Sequence, residues 1–149
     1  METRKIKALL DTNVLLDLLS SADRPSSEAS RMIFQAIRSG FLEGVLTTQS
    51  ILDANYILSR CENFSFEAFG QCILSLRNFV NIGYLDLFDI QDAIRHPGGD
   101  FEDGAHFAHA EAEGCDVLVT SDRQLLKRES SSGMLVLTPA QLIARMSGQ

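Results

Sequence analysis

Tryptophan is absent from this chain, cysteine is scarce and no apolar run is long. The missing indole rings leave no hole to explain, because nine Phe stand beside many Leu, Ile and Val. The three cysteines, Cys61, Cys72 and Cys115, are odd in number and form no C-x-x-C pair. That excludes a fully paired disulfide framework and the usual zinc spacing. With apolar neighbours nearby, all three read as small buried hydrophobes. No apolar stretch reaches the roughly 18 residues that a membrane-spanning helix needs. The segment Met1 to Lys7 is mostly polar and lacks the apolar region and cleavage site of a signal peptide. The expectation is a cytoplasmic protein with no membrane role.

Positive charge is short as well. Thirteen Lys and Arg against 20 Asp and Glu leave a net charge of −7. Phosphate contacts need cations, so this balance argues against a broad nucleic-acid-binding surface. It does not exclude an acidic cluster that holds a divalent ion where a phosphate is attacked. What remains is ordinary for a globular protein: 45% hydrophobic and 22% charged residues over 149 positions, read as a single domain spanning 1–149. No internal repeat or linker-like composition shift cuts the chain.

Short apolar runs alternate with helical patterns. Ile6–Leu10 reads as a buried strand closed by Asp11, and Val14–Leu19 as a short helix. Ala29, Ile33, Ala36 and Ile37 give Ser26–Ser39 a helical period that Gly40 ends. Gly44–Thr47 reads as a strand and Gln49–Cys61 as a helix. Ser65 caps a helix over Phe66–Asn78. Tyr84–Phe88 reads as a strand, and Ile90–Arg95 as a short helix stopped by His96-Pro97-Gly98-Gly99. Phe101–Glu113 is a helix ended by Gly114. Val117–Thr120 is a strand, Arg123–Lys127 a short helix and Leu135–Leu137 a last strand. Pro139–Met146 closes the chain as a helix with proline in its first turn. This β-α alternation with apolar strands predicts a three-layer α/β/α sandwich around a parallel sheet of four to five strands.

In such sheets the functional crevice lies at the carboxyl ends of the strands. Asp11 and Asp122 both follow strands there. Asp53 and Asp103 lie early in helices that start at the same edge. Four carboxylates from four segments can therefore converge. Convergence is costly unless a cation offsets it, and Mg²⁺ or Mn²⁺ prefers such oxygen ligands. Thr12, Asn13, Thr120 and Ser121 flank the two strand-end aspartates and can orient them by hydrogen bonds. Each acid also has a bland reading. Asp11 is equally a helix cap, Asp100 is better read as one, and Asp103 suits the helix macrodipole. Asp17, Glu28, Glu43, Asp86, Asp89 and Asp92 read as solvated surface. His106 shares a helix face with Asp103 and reads as a partly exposed histidine rather than a ligand, while His109 points elsewhere. Arg123 and Lys127, close after Asp122, are the candidate phosphate contacts, with ordinary surface charge as the competing reading.

Leu9-Leu10-Asp11-Thr12-Asn13-Val14-Leu15-Leu16-Asp17 resembles the opening motif of PIN domains, the nuclease fold of VapC-type toxins. Asp100-Phe101-Glu102-Asp103-Gly104-Ala105, then Val119-Thr120-Ser121-Asp122, resembles the second half of that family. Val136-Leu137-Thr138-Pro139-Ala140-Gln141-Leu142 is similar to its closing segment. The resemblance implies a Mg²⁺- or Mn²⁺-dependent endoribonuclease, with Asp11, Asp103 and Asp122 as metal ligands and Asp53 as a fourth catalytic acid. Asp53 stands where the commoner form has Glu, and Gly104 where Ala is commoner. The resemblance also implies an RNA substrate, a toxin role with an antitoxin that covers the crevice, and a homodimer.

Two other functions compete. A catalytically weak or inactive module that binds RNA or a protein is motivated by the shorter Asp53 and by the net charge of −7. A phosphotransfer enzyme with Asp11 as nucleophile would usually want a second Asp two residues on, where this chain has Asn13. It has no Gly-rich phosphate loop either.

Overall fold

The computed structural model describes residues 3–148. Five strands form one parallel sheet: β1 (Ile6–Leu10), β2 (Leu42–Thr47), β3 (Val80–Gly83), β4 (Val117–Val119) and β5 (Leu135–Leu137), in the order β3-β2-β1-β4-β5. Among the described residues there are eight helices: α1 (Thr12–Leu19), α2 (Ser27–Arg38), α3 (Thr48–Leu58), α4 (Phe66–Leu76), α5 (Leu87–Arg95), α6 (Phe101–Ala112), α7 (Arg123–Leu126) and α8 (Pro139–Met146). No helix among them is long and apolar enough to cross a membrane.

The period of two along each strand divides the core. Ala8 and Leu10 of β1, Leu42 and Leu46 of β2, and Val117 and Val119 of β4 face one way. There they pack against Val14 and Leu15 of α1, Ile33 and Ile37 of α2, Ala54 of α3, Leu76 of α4 and Leu142 of α8. Leu9, Val45 and Leu118 face the other way, against Phe107 and Ala110 of α6 and Leu125 of α7. Helix α5 packs on α6. Strands buried on both faces need apolar side chains throughout, which is why they read as continuous hydrophobic runs. Gly44 sets how closely α2 lies on the sheet: a Cβ there would stand 2.5 Å from Ile37 Cδ1.

Polar residues just before the helices start them. Asp11, Thr47, Ser65, Asp86, Asp100, Asp122 and Thr138 each accept a backbone N–H of the helix that follows. This capping explains one misplaced boundary. The expected strand Tyr84–Phe88 is not a strand. Asp86 and Asp89 form a reciprocal capping box, which turns Leu87 onward into α5. The strand lies earlier, where Val80 and Ile82 take register against Gly44 and Leu46.

Several side chains are placed differently from the sequence reading. Asp17 is buried: Ser26 Oγ and Ser30 Oγ each donate to its Oδ2 at 2.6 Å, and Arg24 Nε stands 2.8 Å from its Oδ1. Asp89 is also buried, 2.9 Å from His109 Nδ1. Of the cysteines only Cys115 is buried, where burial pushes its thiol up to about 12. Cys61 and Cys72 are exposed.

Candidate active site

Strand order reverses at β1. The chain runs outward through β2 to β3, then returns to lay β4 on the other side of β1. Ligand crevices in open parallel sheets form at such a switch point, beyond the carboxyl ends of the strands. Here β1 ends in Asp11, and β4 leads through Thr120 and Ser121 to Asp122. The Asp11 N–H donates to Val119 O at 3.0 Å, which keeps the two strand ends side by side.

Asp11 is buried yet fully engaged. Its Oδ1 accepts the Thr12 N–H at 2.8 Å, and its Oδ2 accepts Asn13 Nδ2 at 2.8 Å and the Thr120 hydroxyl at 2.7 Å. It is thus the cap of α1 as well as an acid facing the crevice. Thr120 Oγ1 also accepts the Asp122 N–H at 3.0 Å, tying the two aspartates to one hydroxyl. Asp122 Oδ1 accepts the N–H groups of Gln124 and Leu125, both at 2.9 Å. Of the other two flanking residues, Thr12 sends its hydroxyl to Ser50 Oγ, and Ser121 donates its N–H to Asn13 Oδ1.

Asp103 completes this group from the first turn of α6. Burial pushes its carboxyl up to about 7, and the charges of Asp11, Asp100 and Asp122 push the same way against the Arg128 guanidinium. Asp100 caps α6, its Oδ1 accepting the Asp103 N–H at 3.1 Å. Asp53 lines the same crevice but pairs differently. Gln49 Nε2 donates to its Oδ1 at 3.1 Å, and its carboxylate hydrogen-bonds with Glu102. That bond raises Glu102 to about 8, with burial and the charges of Asp53, Asp100 and Asp103 adding to it. The crevice, about 500 Å³, therefore holds two acidic groupings: Asp11, Asp103 and Asp122 at the switch point, and Asp53 with Glu102 beside them.

Glu102 was not singled out from the sequence. The available signal was the run Asp100-Phe101-Glu102-Asp103, which puts three carboxylates into the start of one helix. His106 is also a correction, being fully buried rather than partly exposed. Its Nδ1 lies 3.1 Å from Glu102 O, so that nitrogen carries the proton and Nε2 accepts from Thr47 Oγ1 at 2.7 Å. Burial lowers its pKa, keeping the ring neutral. It locks α6 to β2 and offers no nitrogen to the crevice.

Among the described residues, no three His, Cys, Asp or Glu side chains stand close enough together to hold a metal ion on their own. The donor chemistry nonetheless suits a hydrated Mg²⁺ or Mn²⁺. All donors are hard oxygens, and Mg²⁺ usually keeps several waters and takes only one or two carboxylates. Burial first, then the charges of Asp11, Asp100 and Asp122, disfavour the ionised form of Asp103, a cost that a bound cation would offset.

A doubly wound parallel sheet with strand-end carboxylates at its switch point defines a class of α/β proteins with an acidic site. Within that class the chain belongs to the PIN domain family, whose model matches residues 7–124. Solved structures share the fold. PAE2754 from Pyrobaculum aerophilum superposes with a TM-score of 0.65 at 19% identity, over 97% of this chain and 91% of that one. VapC20 of Mycobacterium tuberculosis, described as a sarcin-ricin loop cleaving toxin, gives 0.62 at 14% identity, over 79% and 92%. FitAcB from Neisseria gonorrhoeae gives 0.64 at 16% identity, over 89% and 98%. Among curated protein sequences none matches significantly.

Proposed function

We propose that this chain is a metal-dependent endoribonuclease that hydrolyses RNA phosphodiester bonds, folded as one domain. One observation carries the reading. Asp11, Asp103 and Asp122 come from three separate segments to one crevice, and Asp103 feels both of the others. Asp11, Asp103 and Asp122 would hold Mg²⁺ or Mn²⁺. When bound, such an ion supplies Lewis acidity toward a phosphate oxygen and lowers the pKa of an attacking water.

The chain's own residues do the rest. Asn13, Thr120 and the Thr12 N–H fix the Asp11 carboxylate, so it need not reorganise when charge develops beside it. The first N–H groups of α7 do the same for Asp122. Glu102, near pKa 8, keeps its proton at neutral pH and shares it in its hydrogen bond with Asp53. Asp53 acts on the crevice edge, in the place where the longer Glu is commoner.

The test is cleavage of structured RNAs with and without Mn²⁺. Wild type should cut only with metal, and Asp11→Asn should lower the rate at least ~100-fold, in keeping with the loss of a primary charge-stabilising group. Equal cleavage by both would trace the activity to a contaminant. The shorter side chain of Asp53, together with the lack among the described residues of three donors close enough to cage an ion, favours a second reading: a catalytically weak module that binds RNA or a protein. Failure of Mn²⁺ to bind in calorimetry would select it.

A toxin role with an antitoxin partner belongs to the same proposal. Support comes from similar solved structures, one of which is a toxin–antitoxin complex from Klebsiella pneumoniae at 17% identity and TM-score 0.62. Growth arrest on expressing wild type but not Asp11→Asn would bear this out. Light scattering on the purified protein tests self-association as a homodimer.

A further inference from the structure

A second cavity of about 560 Å³ opens beside the acidic crevice and shares Asp100 and Asp103 with it. Its volume falls within the roughly 300–1,000 Å³ of small-ligand sites. Its chemistry differs from that of the crevice. Among the described residues the crevice has no cation in its lining, whereas this cavity has Lys127 and Arg128, which directly follow α7.

The two cations are not equivalent. Arg128 is committed: its guanidinium donates to Gly98 O at 3.3 Å and His96 O at 2.8 Å and lies 5.0 Å from the Phe107 ring centroid. It clamps the glycine loop that forms one side of the cavity. Gly99 has φ +66, and a Cβ there would stand 3.3 Å from Gln124 Oε1, so the loop leaves that wall bare. Lys127 is exposed and takes part in no ion pair among the described residues. Gln124 adds a neutral side-chain amide, and Pro97 and Leu125 add apolar surface. A free ammonium, an amide and an apolar wall are what a nucleotide unit needs for its phosphate, base edge and sugar.

The geometry points to this cavity as the subsite for the nucleotide that flanks the scissile bond, with Lys127 on its phosphate and Gln124 beside its base or ribose. Because the cavity lies on the α7 side of Asp103, the strand is gripped on one side of the cut, and Arg123, outside the cavity lining, has no part in it. This assignment rests on the acidic crevice being the hydrolytic centre, yet its test does not require cleavage.

The probe is adenosine 5′-monophosphate, titrated without metal into the ¹⁵N-labelled full chain. The amides of Gly98, Gly99, Gln124 and Lys127 should shift together. Lys127→Ala should weaken binding about 5- to 10-fold, and Arg123→Ala should leave it unchanged. Shifts centred elsewhere, or equal affinity in Lys127→Ala, would overturn the subsite, whatever the protein does to RNA. In cleavage assays Lys127→Ala should raise KM about 5- to 10-fold with kcat retained. An unchanged KM would count against the subsite while leaving the nuclease reading intact. Nucleotide binding at these amides by a protein that cuts no RNA would keep the cavity as a nucleotide site but overturn both the nuclease reading and the place beside a scissile bond.

Discussion

Single side chains carry the site through hydrogen bonds, and the Thr120 hydroxyl links two of its aspartates. Its hydroxyl donates to Asp11 and accepts from the Asp122 backbone. Thr120→Ala should therefore cost about 1.5–3 kcal/mol, the usual worth of a buried bond to a charged group, measured by urea denaturation. Thr120→Ser should recover most of it. Equal stability of Ala and wild type would show that Asp11 does not depend on this hydroxyl. Asp11, Asp103 and Asp122 were legible as crevice acids because each follows a strand or opens a helix at one sheet edge, and Asp53 because its helix α3 starts at that edge, though Asp53 itself lies in the middle of it. The buried acids Asp17 and Asp89 were not. Their partners Ser26 and Ser30 on one side, and His109 on the other, come from other elements, and local spacing says nothing of them. Glu102 was missed for a related reason: its partner Asp53 sits 49 positions earlier in the numbering, on α3.

Between elements, close approach decides the packing. Gly44→Ala would force its Cβ toward Ile37 Cδ1, 2.5 Å away, and should cost about 1–3 kcal/mol through overpacking of α2 on β2. Ile37→Val removes that methyl, so the double variant should be less destabilised than the sum of the two single ones. Strict additivity in a double-mutant cycle would disprove the contact. His106 joins α6 to β2 as a neutral ring, and its depressed pKa means that the folded state resists protonation. Its contribution is present above pH 6.5 and is lost as pH falls through the lower folded value. His106→Gln should flatten that acid limb in denaturation curves recorded from pH 7 to pH 5. Strand and helix order was readable from the alternating periods, and β5 and α8 stand where the sequence put them. The β3–α5 boundary was not, because Tyr84–Phe88 has the apolar look of a strand while the reciprocal Asp86–Asp89 cap governs it.

At the scale of the molecule, charge in the crevice opposes folding of the metal-free protein. Asp103 rises to about 7 and Glu102 to about 8, so the folded state holds protons that the unfolded chain releases near pH 4. The stability linked to them is fully present below about pH 4 and is lost as pH rises through 7 and 8. Asp103→Asn should remove part of that loss, seen as a flatter profile of Tm against pH. On the proposed function Mn²⁺ would bind the deprotonated carboxylates, so added Mn²⁺ should raise Tm more at pH 8 than at pH 5, and EDTA should reverse the gain. A Tm shift independent of pH would place the ion elsewhere.

Strand β1 sits in the middle of the sheet, and one of its two neighbours, β4, begins only at residue 117. A chain that stops after α6 lacks both β4, the partner on one side of β1, and Asp122. Truncation before residue 117 would thus strip one flank from the central strand and one carboxylate from the crevice in a single cut.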